Sequence, residues 1–126
     1  MAAGGGIVKK LAEAIFKMLG KEGGQGGKAL SHRLAHATAE TGKKLRHHGG
    51  PPGAILVKRD ARGAVTNYAH YNQHGEITKR VDLTGRPHAG IPTPHTLDYK
   101  TNITPDGRRF PGPDGNVRPA TPDEIP

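Results

Sequence analysis

Cysteine is absent from the chain. That excludes disulfide frameworks, thiolate zinc sites and cysteine nucleophiles. Tryptophan is absent too, and aromatic residues make up only 4% of the sequence. With hydrophobic residues at 33%, 126 residues are expected to form one small compact domain, with at most an extra segment. No apolar run is long enough to span a bilayer as a helix. The N-terminal stretch lacks the charged-then-apolar layout and cleavage site of a secretory signal, so export is expected to depend on a larger carrier. Acidic side chains are the minority: 11 Asp and Glu stand against 19 Lys and Arg, for a formal charge of +8. Such a balance favours polyanions such as nucleic acid, although lysine-rich helices that merely keep a small protein soluble give the same total.

What is present is unevenly spread. Residues 1–50 carry nine Lys and Arg against three acids, whereas residues 51–126 carry ten against eight. All eleven prolines lie beyond position 50 and eleven of the nineteen glycines within residues 1–50. Residues 1–50 therefore read as a helical, Gly/Lys-rich connector segment and residues 51–126 as a separate domain, divided at His47-His48-Gly49-Gly50-Pro51-Pro52-Gly53. Ile7, Leu11, Ile15 and Leu19 predict a first helix. The run 21–28 predicts a flexible link, and Lys28 to about Arg46 a second helix with a thin apolar face. Lys28, Arg33, Lys43, Lys44 and Arg46 on that helix are expected to add non-specific affinity for nucleic acid.

After Pro52 the period changes. Ala54–Lys58, Ala64–Tyr71 and Glu76–Leu83 predict a three-stranded antiparallel meander, turning at Asp60–Gly63 and Asn72–Gly75. Strict alternation places Ile77, Lys79, Val81 and Leu83 on one face of the third strand and Thr78, Arg80 and Asp82 on the other. A short strand at Thr96–Tyr99 follows, and from Thr101 the chain reads as Pro/Gly-rich with Asp-Gly turns at 106–107 and 114–115.

The ionisable residues concentrate where the backbone is stiffest. Arg80 and Asp82 project together from one strand, and His88 and His95 follow in a loop braced by Pro87, Pro92 and Pro94. Two histidines supply a general base and a general acid near neutrality. An arginine offsets charge building on a phosphoryl oxygen, and Asp82 can orient Arg80 or a histidine. The set suffices for RNA cleavage by attack of the ribose 2′-hydroxyl, without a metal or another cofactor. Arg86, Tyr68, His70 and Lys79 are the candidate substrate-binding residues around it. Against this stands the plain alternative of a surface Arg–Asp pair and two solvated loop histidines. A metal site of Asp82, His88 and His95 is a further alternative, with no tight ligand spacing behind it. His32, His36 and Glu40 form a helical stripe that reads as a solvated face, and His47-His48 reads as linker.

The string VTNYAHYNQHGEITKRVDLTGRPHAGIPTPH, preceded by VKRDARG and followed by RPATPDEIP, resembles the C-terminal toxin modules of bacterial polymorphic toxins of the Rhs and contact-dependent types, in particular polymorphic toxin type 24. The resemblance covers residues 53–126. It implies a secreted antibacterial toxin, carried on a larger protein, delivered into the cytoplasm of a target bacterium and neutralised by a cognate immunity protein. It also implies ribonuclease activity and an α+β fold, with N-terminal helices followed by a small curved antiparallel sheet of barnase/EndoU-like architecture. Arg80, Asp82, His88 and His95 occupy its motif positions. The chain departs from the pattern at Leu97, where a polar residue is usual, while Asp98 keeps the following acid. An immunity partner that blocks such a site should be acidic where it meets Arg80 and Arg86. The competing functions are a metal-dependent DNase toxin, a non-catalytic basic module that binds nucleic acid or protein, and a group-transfer toxin.

Overall fold

A computed structural model describes residues 23–126. The helix expected at Ile7–Leu19 lies outside the described residues. The elements are helix α1 (Gly23–Ala35) and strands β1 (Thr38–Ala39), β2 (Ile55–Arg59), β3 (Val65–Tyr71), β4 (Ile77–Asp82), β5 (His95–Ile103) and β6 (Arg109–Pro119), with a final 3-10 turn at Pro122–Glu124. Contacts group residues 33–120 into one compact unit, and the described part of a second comprises residues 23–32 and 121–126. In the second unit, the 3-10 turn is closed by the Thr121 amide, which donates to Glu124 Oε1 at 2.9 Å.

The six strands form one open sheet in sequence order. β1 runs parallel to β2, and every later pairing is antiparallel. The fold is thus α+β with a short helix and a mostly antiparallel sheet. The helical segment differs from expectation in both its ends. It begins within the glycine run that reads as a flexible link, against the low helix propensity of glycine. It stops at Ala35 rather than near Arg46, because the apolar spacing lapses after Leu30 and Leu34, both buried, and Thr38 and Ala39 pair with Leu56 and Val57 instead. The 33–50 stretch, read from sequence as connector, therefore supplies a sheet strand and the buried Leu45.

The meander forms where the turn chemistry places it. Asp60 Oδ1 accepts from the amides of Arg62 and Ala64, and Asn72 Oδ1 from those of His74 and Glu76, at 2.9–3.0 Å. Gly75 has φ +73, and a Cβ there would lie 2.7 Å from the Gly50 carbonyl oxygen, so glycine is required twice over. The proline-rich C-terminal region, expected as turns, is mostly strand. Asp106-Gly107 does turn the chain between β5 and β6. Asp114-Gly115 instead lies within β6, where Pro113 pairs with Tyr99 and Val117 with Leu97, so residues 114–116 bulge past Asp98. An outer edge strand tolerates proline and bulges because half of its backbone donors face no neighbouring strand.

One hydrophobic cluster positions the site. Leu45, Leu56, Ala69, Tyr71 and Ile77 are buried together, with Tyr99 against them. Ile77 belongs there although strict alternation assigns it to the face of Val81. The β3–β4 register shifts between His70 and Tyr71, so Ile77 pairs with Tyr71 while Lys79 pairs with His70. The extra residue re-aims Ile77 onto the Arg80 face.

Candidate functional site

Residues 40–47 cross this face of the sheet, fastened at successive points. Glu40 Oε1 and Oε2 accept from Arg46 Nε and Nη2 at 2.9 and 2.7 Å. Those hydrogen bonds hold the Glu40 carboxyl at about 2, against the opposing effect of burial. Lys58 Nζ donates to the carbonyls of Gly42 and Lys43 at 2.8 and 2.7 Å. Tyr71 Oη donates to the Arg46 carbonyl at 2.6 Å, and burial pushes its phenol up to about 12. The Ile77 amide donates to the His47 carbonyl at 2.9 Å. Leu45, in the middle, is sunk into the core.

Beside this segment the register aligns polar residues across four strands: Lys58 opposite Asn67, Asn67 opposite Asp82, and Asp82 opposite His95. Asp82 is the hub of the row. Its Oδ1 accepts from Asn67 Nδ2 at 2.8 Å and Arg80 Nε at 2.9 Å, and its Oδ2 from Arg80 Nη2 at 2.9 Å. His95 Nε2 lies 2.8 Å from Oδ2, and its Nδ1 lies 3.0 Å from the Ile91 carbonyl oxygen. Burial pushes the Asp82 carboxyl up, but the hydrogen bonds from Arg80 and Asn67, the Arg80 charge and the His95 bond outweigh it and leave the group below the usual carboxylate range.

His95 and Asp82 are buried, whereas His88 is exposed. With 1% of its surface exposed and both ring nitrogens against acceptors, His95 makes both bonds at once only when each nitrogen carries a proton. Its chemistry is directed inward, onto Asp82 and the loop. His88 sits at the mouth of a tight two-residue turn. It exchanges two backbone bonds with Ile91 at 3.0 and 2.9 Å, and Ala89 and Gly90 between them have φ +52 and +80. The loop also holds a cis Thr93–Pro94 bond. The rings of His88 and His95 lie edge to face with centroids 6.1 Å apart.

The structure thus brings Arg80, Asp82, His88 and His95 into one neighbourhood. It does not bring the expected substrate-binding residues there as a group. Tyr68, His70 and Lys79 belong to the opposite face of the sheet, since Tyr68 pairs with Val81 and His70 with Lys79. Tyr68 is fully buried, with its ring 5.7 Å from that of His70. Arg86 is exposed on the β4–β5 loop. Leu97, the departure from the toxin pattern, is opposite Arg80 and buried. Asp98 is engaged by Asn116 and Arg118. The stripe of His32, His36 and Glu40 does not form on a helix, because α1 ends at Ala35.

Two residues join the site that the sequence did not mark. His47, read as linker, lies with its ring 5.1 Å from that of Tyr99. Burial, then the nearby charges of Arg80, His48 and Lys44, lower its pKa from the ordinary histidine value. Tyr99 is raised by burial, with Arg80 pulling it down and Asp82 pushing it up, so both rings sense the Arg80–Asp82 pair. Nothing in the local sequence marks His47. The bridging of residues 40–47 onto the sheet is what delivers it.

Among the described residues, no group of three or more His, Asp or Glu is arranged to hold a metal ion, and Asp82, His88 and His95 do not form one. No described helix is long and apolar enough to cross a membrane.

The chain falls in the class of C-terminal polymorphic toxin domains, as its family match shows. The family model described as Bacterial toxin 24 matches residues 34–126, and the chain belongs to that family. No curated protein and no solved structure matches the chain. The family match begins close to the first residue of the 33–120 unit and includes the 40–47 segment.

Proposed function

We propose that this toxin domain is a ribonuclease that cleaves RNA without a metal, by attack of a ribose 2′-hydroxyl on the adjacent phosphorus. The new bond joins the 2′-oxygen to phosphorus, the bond to the 5′-oxygen breaks, and a 2′,3′-cyclic phosphate forms. One group takes the 2′-hydroxyl proton and another protonates the departing 5′-oxygen. The observation that carries this reading is the Asp82 hub. It orients Arg80 by two bonds through Nε and Nη2, and Nη1 makes no hydrogen bond among the described residues. The two Nη1 protons and the second proton of Nη2 are left to meet a phosphoryl oxygen. His88, exposed beside the buried pair, exchanges a proton with substrate. His95 is a positioning residue that holds Asp82. His47, beside Arg80 with its neutral form favoured, takes the second proton role.

The biological setting belongs to the same proposal. The domain travels on a larger carrier, enters the cytoplasm of a target bacterium and is blocked by an immunity protein that is acidic where it meets Arg80 and Arg86. A barnase- or EndoU-like architecture is part of the reading as well. The test is incubation of total RNA with the full chain in excess EDTA, alongside His88→Ala and His47→Ala. Cleavage by the wild type, lost by on the order of a hundredfold or more in each variant, is the expected result. An inert wild type under these conditions overturns the metal-free mechanism. Cleavage unchanged in both variants overturns the histidine assignment.

A further inference from the structure

Between the 42–45 segment and strands β2–β4 lies a cavity of about 400 Å³ lined by Lys43, Lys44, Leu45, Lys58, Asn67 and Arg80. Four of these six residues are cations and none is an acid. The nearby carboxylates are already committed. Glu40 is held by Arg46, and Asp82 by Arg80, Asn67 and His95. Among the described residues, neither Lys43 nor Lys44 forms an ion pair through its ammonium group. Lys58 spends two of its three protons on the carbonyls of Gly42 and Lys43, so its charge is fixed in place with one donor remaining. Leu45 is the one apolar residue in the lining. Concentrating this much positive charge costs free energy through mutual repulsion, and a bound anion would offset it.

We propose that this cavity is a phosphate subsite that takes the backbone of single-stranded RNA one or two nucleotides from the bond cleaved at Arg80. The inference rests on the ribonuclease reading and extends it, because Arg80 would be shared by the two positions. Lys43 and Lys44 contact the phosphodiester from the segment above, and Lys58 from the sheet below. Such contacts follow the backbone and not the base, so they set affinity and register without sequence preference. The cavity exists only because residues 40–47 are fastened to the sheet. The segment that reads as connector is thereby a working part of the binding surface.

The test uses the full chain and a single-stranded RNA oligonucleotide carrying 2′-O-methyl groups throughout. This probe keeps the phosphates and removes the nucleophile, so binding is measured apart from cleavage. Affinity is followed against salt for the wild type, for the double variant Lys43→Gln/Lys44→Gln, and for Arg62→Gln, whose exposed side chain lies on the β2–β3 turn. Loss of two phosphate contacts should reduce the slope of log K against log salt by about 1.4 and weaken binding on the order of tenfold at low salt. Arg62→Gln should change neither. Both lysines are exposed, and an unchanged thermal midpoint confirms that the variant is folded. A slope and affinity equal to wild type in the double variant overturn the subsite, even if RNA is cleaved in EDTA. The expected loss in a protein that cleaves no RNA keeps the subsite and removes the reaction. A wild-type chain that does not bind the oligonucleotide overturns the subsite directly.

Discussion

Replacement of Asp82 by alanine should destabilise the domain far more than loss of an ordinary surface carboxylate. The side chain of Asp82 is 10% exposed and serves three donors at once. His95, 1% exposed, would keep a buried ring nitrogen with no partner, at a cost of about 1–3 kcal/mol. Arg80, 28% exposed at its side chain, would lose two charge-assisted bonds but could turn toward water, which limits its share to about 1 kcal/mol. The Asn67 amide adds roughly another 0.5–1 kcal/mol. The total of about 2.5–5 kcal/mol overlaps the range of about 3–5 kcal/mol seen when one partner of a buried pair is removed. For a domain of this size it corresponds to a fall in Tm of at least about 10 °C. Asp82→Asn should cost less, because a carboxamide still accepts from Arg80 or Asn67 and can donate to a singly protonated His95. The assay is urea and thermal unfolding of both variants, with His95→Ala completing a double-mutant cycle against Asp82→Ala. A coupling of at least about 1 kcal/mol is expected between directly bonded residues. An Asp82→Ala variant within about 1 kcal/mol of wild type, or additive with His95→Ala, would refute the hub.

Two further predictions concern pH. Glu76 links the β3–β4 turn to β5 and β6 through Asn72, Thr101 and Arg109, and hydrogen bonds from Arg109 and Asn72 hold its carboxyl at about 2, below its ordinary 4.5. A depressed carboxylate stabilises the fold above its unfolded pKa and loses that contribution as pH falls, so urea midpoints should decline between pH 4.5 and 2 more steeply in the wild type than in Glu76→Gln; parallel curves would remove the assignment. His47, lowered by burial and neighbouring cations, should titrate below an unperturbed histidine in an NMR pH series and shift upward in Arg80→Gln. A His47 midpoint at or above the ordinary value would contradict its placement beside Arg80.

Much of the sheet was legible because its causes are local. Alternating apolar residues flanked by Asp60–Gly63 and Asn72–Gly75 marked β2, β3 and β4 to within a residue or two. β6 was not legible. Proline and glycine argue against a strand in isolation, and only the pairing with β5 along an outer edge makes them tolerable. The end of α1 was misplaced for a related reason. Helix propensity in 36–46 competes with a parallel pairing to Leu56 and Val57 that no nearby residue announces.

The site divides in the same way. Sequence alone determined that Arg80, Asp82, His88 and His95 belong together, because two lie at i, i+2 on one strand and two on the stiff loop that follows. It also determined the excess of cations and the absence of thiol chemistry. Tertiary structure decided which of them are buried and which face outward. The register that sets Asp82 opposite His95 buries that histidine, while the turn at Ala89 and Gly90 leaves His88 exposed. The bulge at His70 and Tyr71 moved Ile77 onto the Arg80 face, while Tyr68, His70 and Lys79 lie on the other face by simple alternation. Bonds from Lys58, Tyr71 and Ile77 brought Lys43, Lys44 and His47 over it. The physical reason is cooperativity and range. Turn chemistry and strand period act over a few residues and can be read along the chain, whereas register and bulges are chosen by pairings whose benefit appears only once the sheet has formed, and the seating of the crossing segment is settled by contacts between residues 15 to 30 apart.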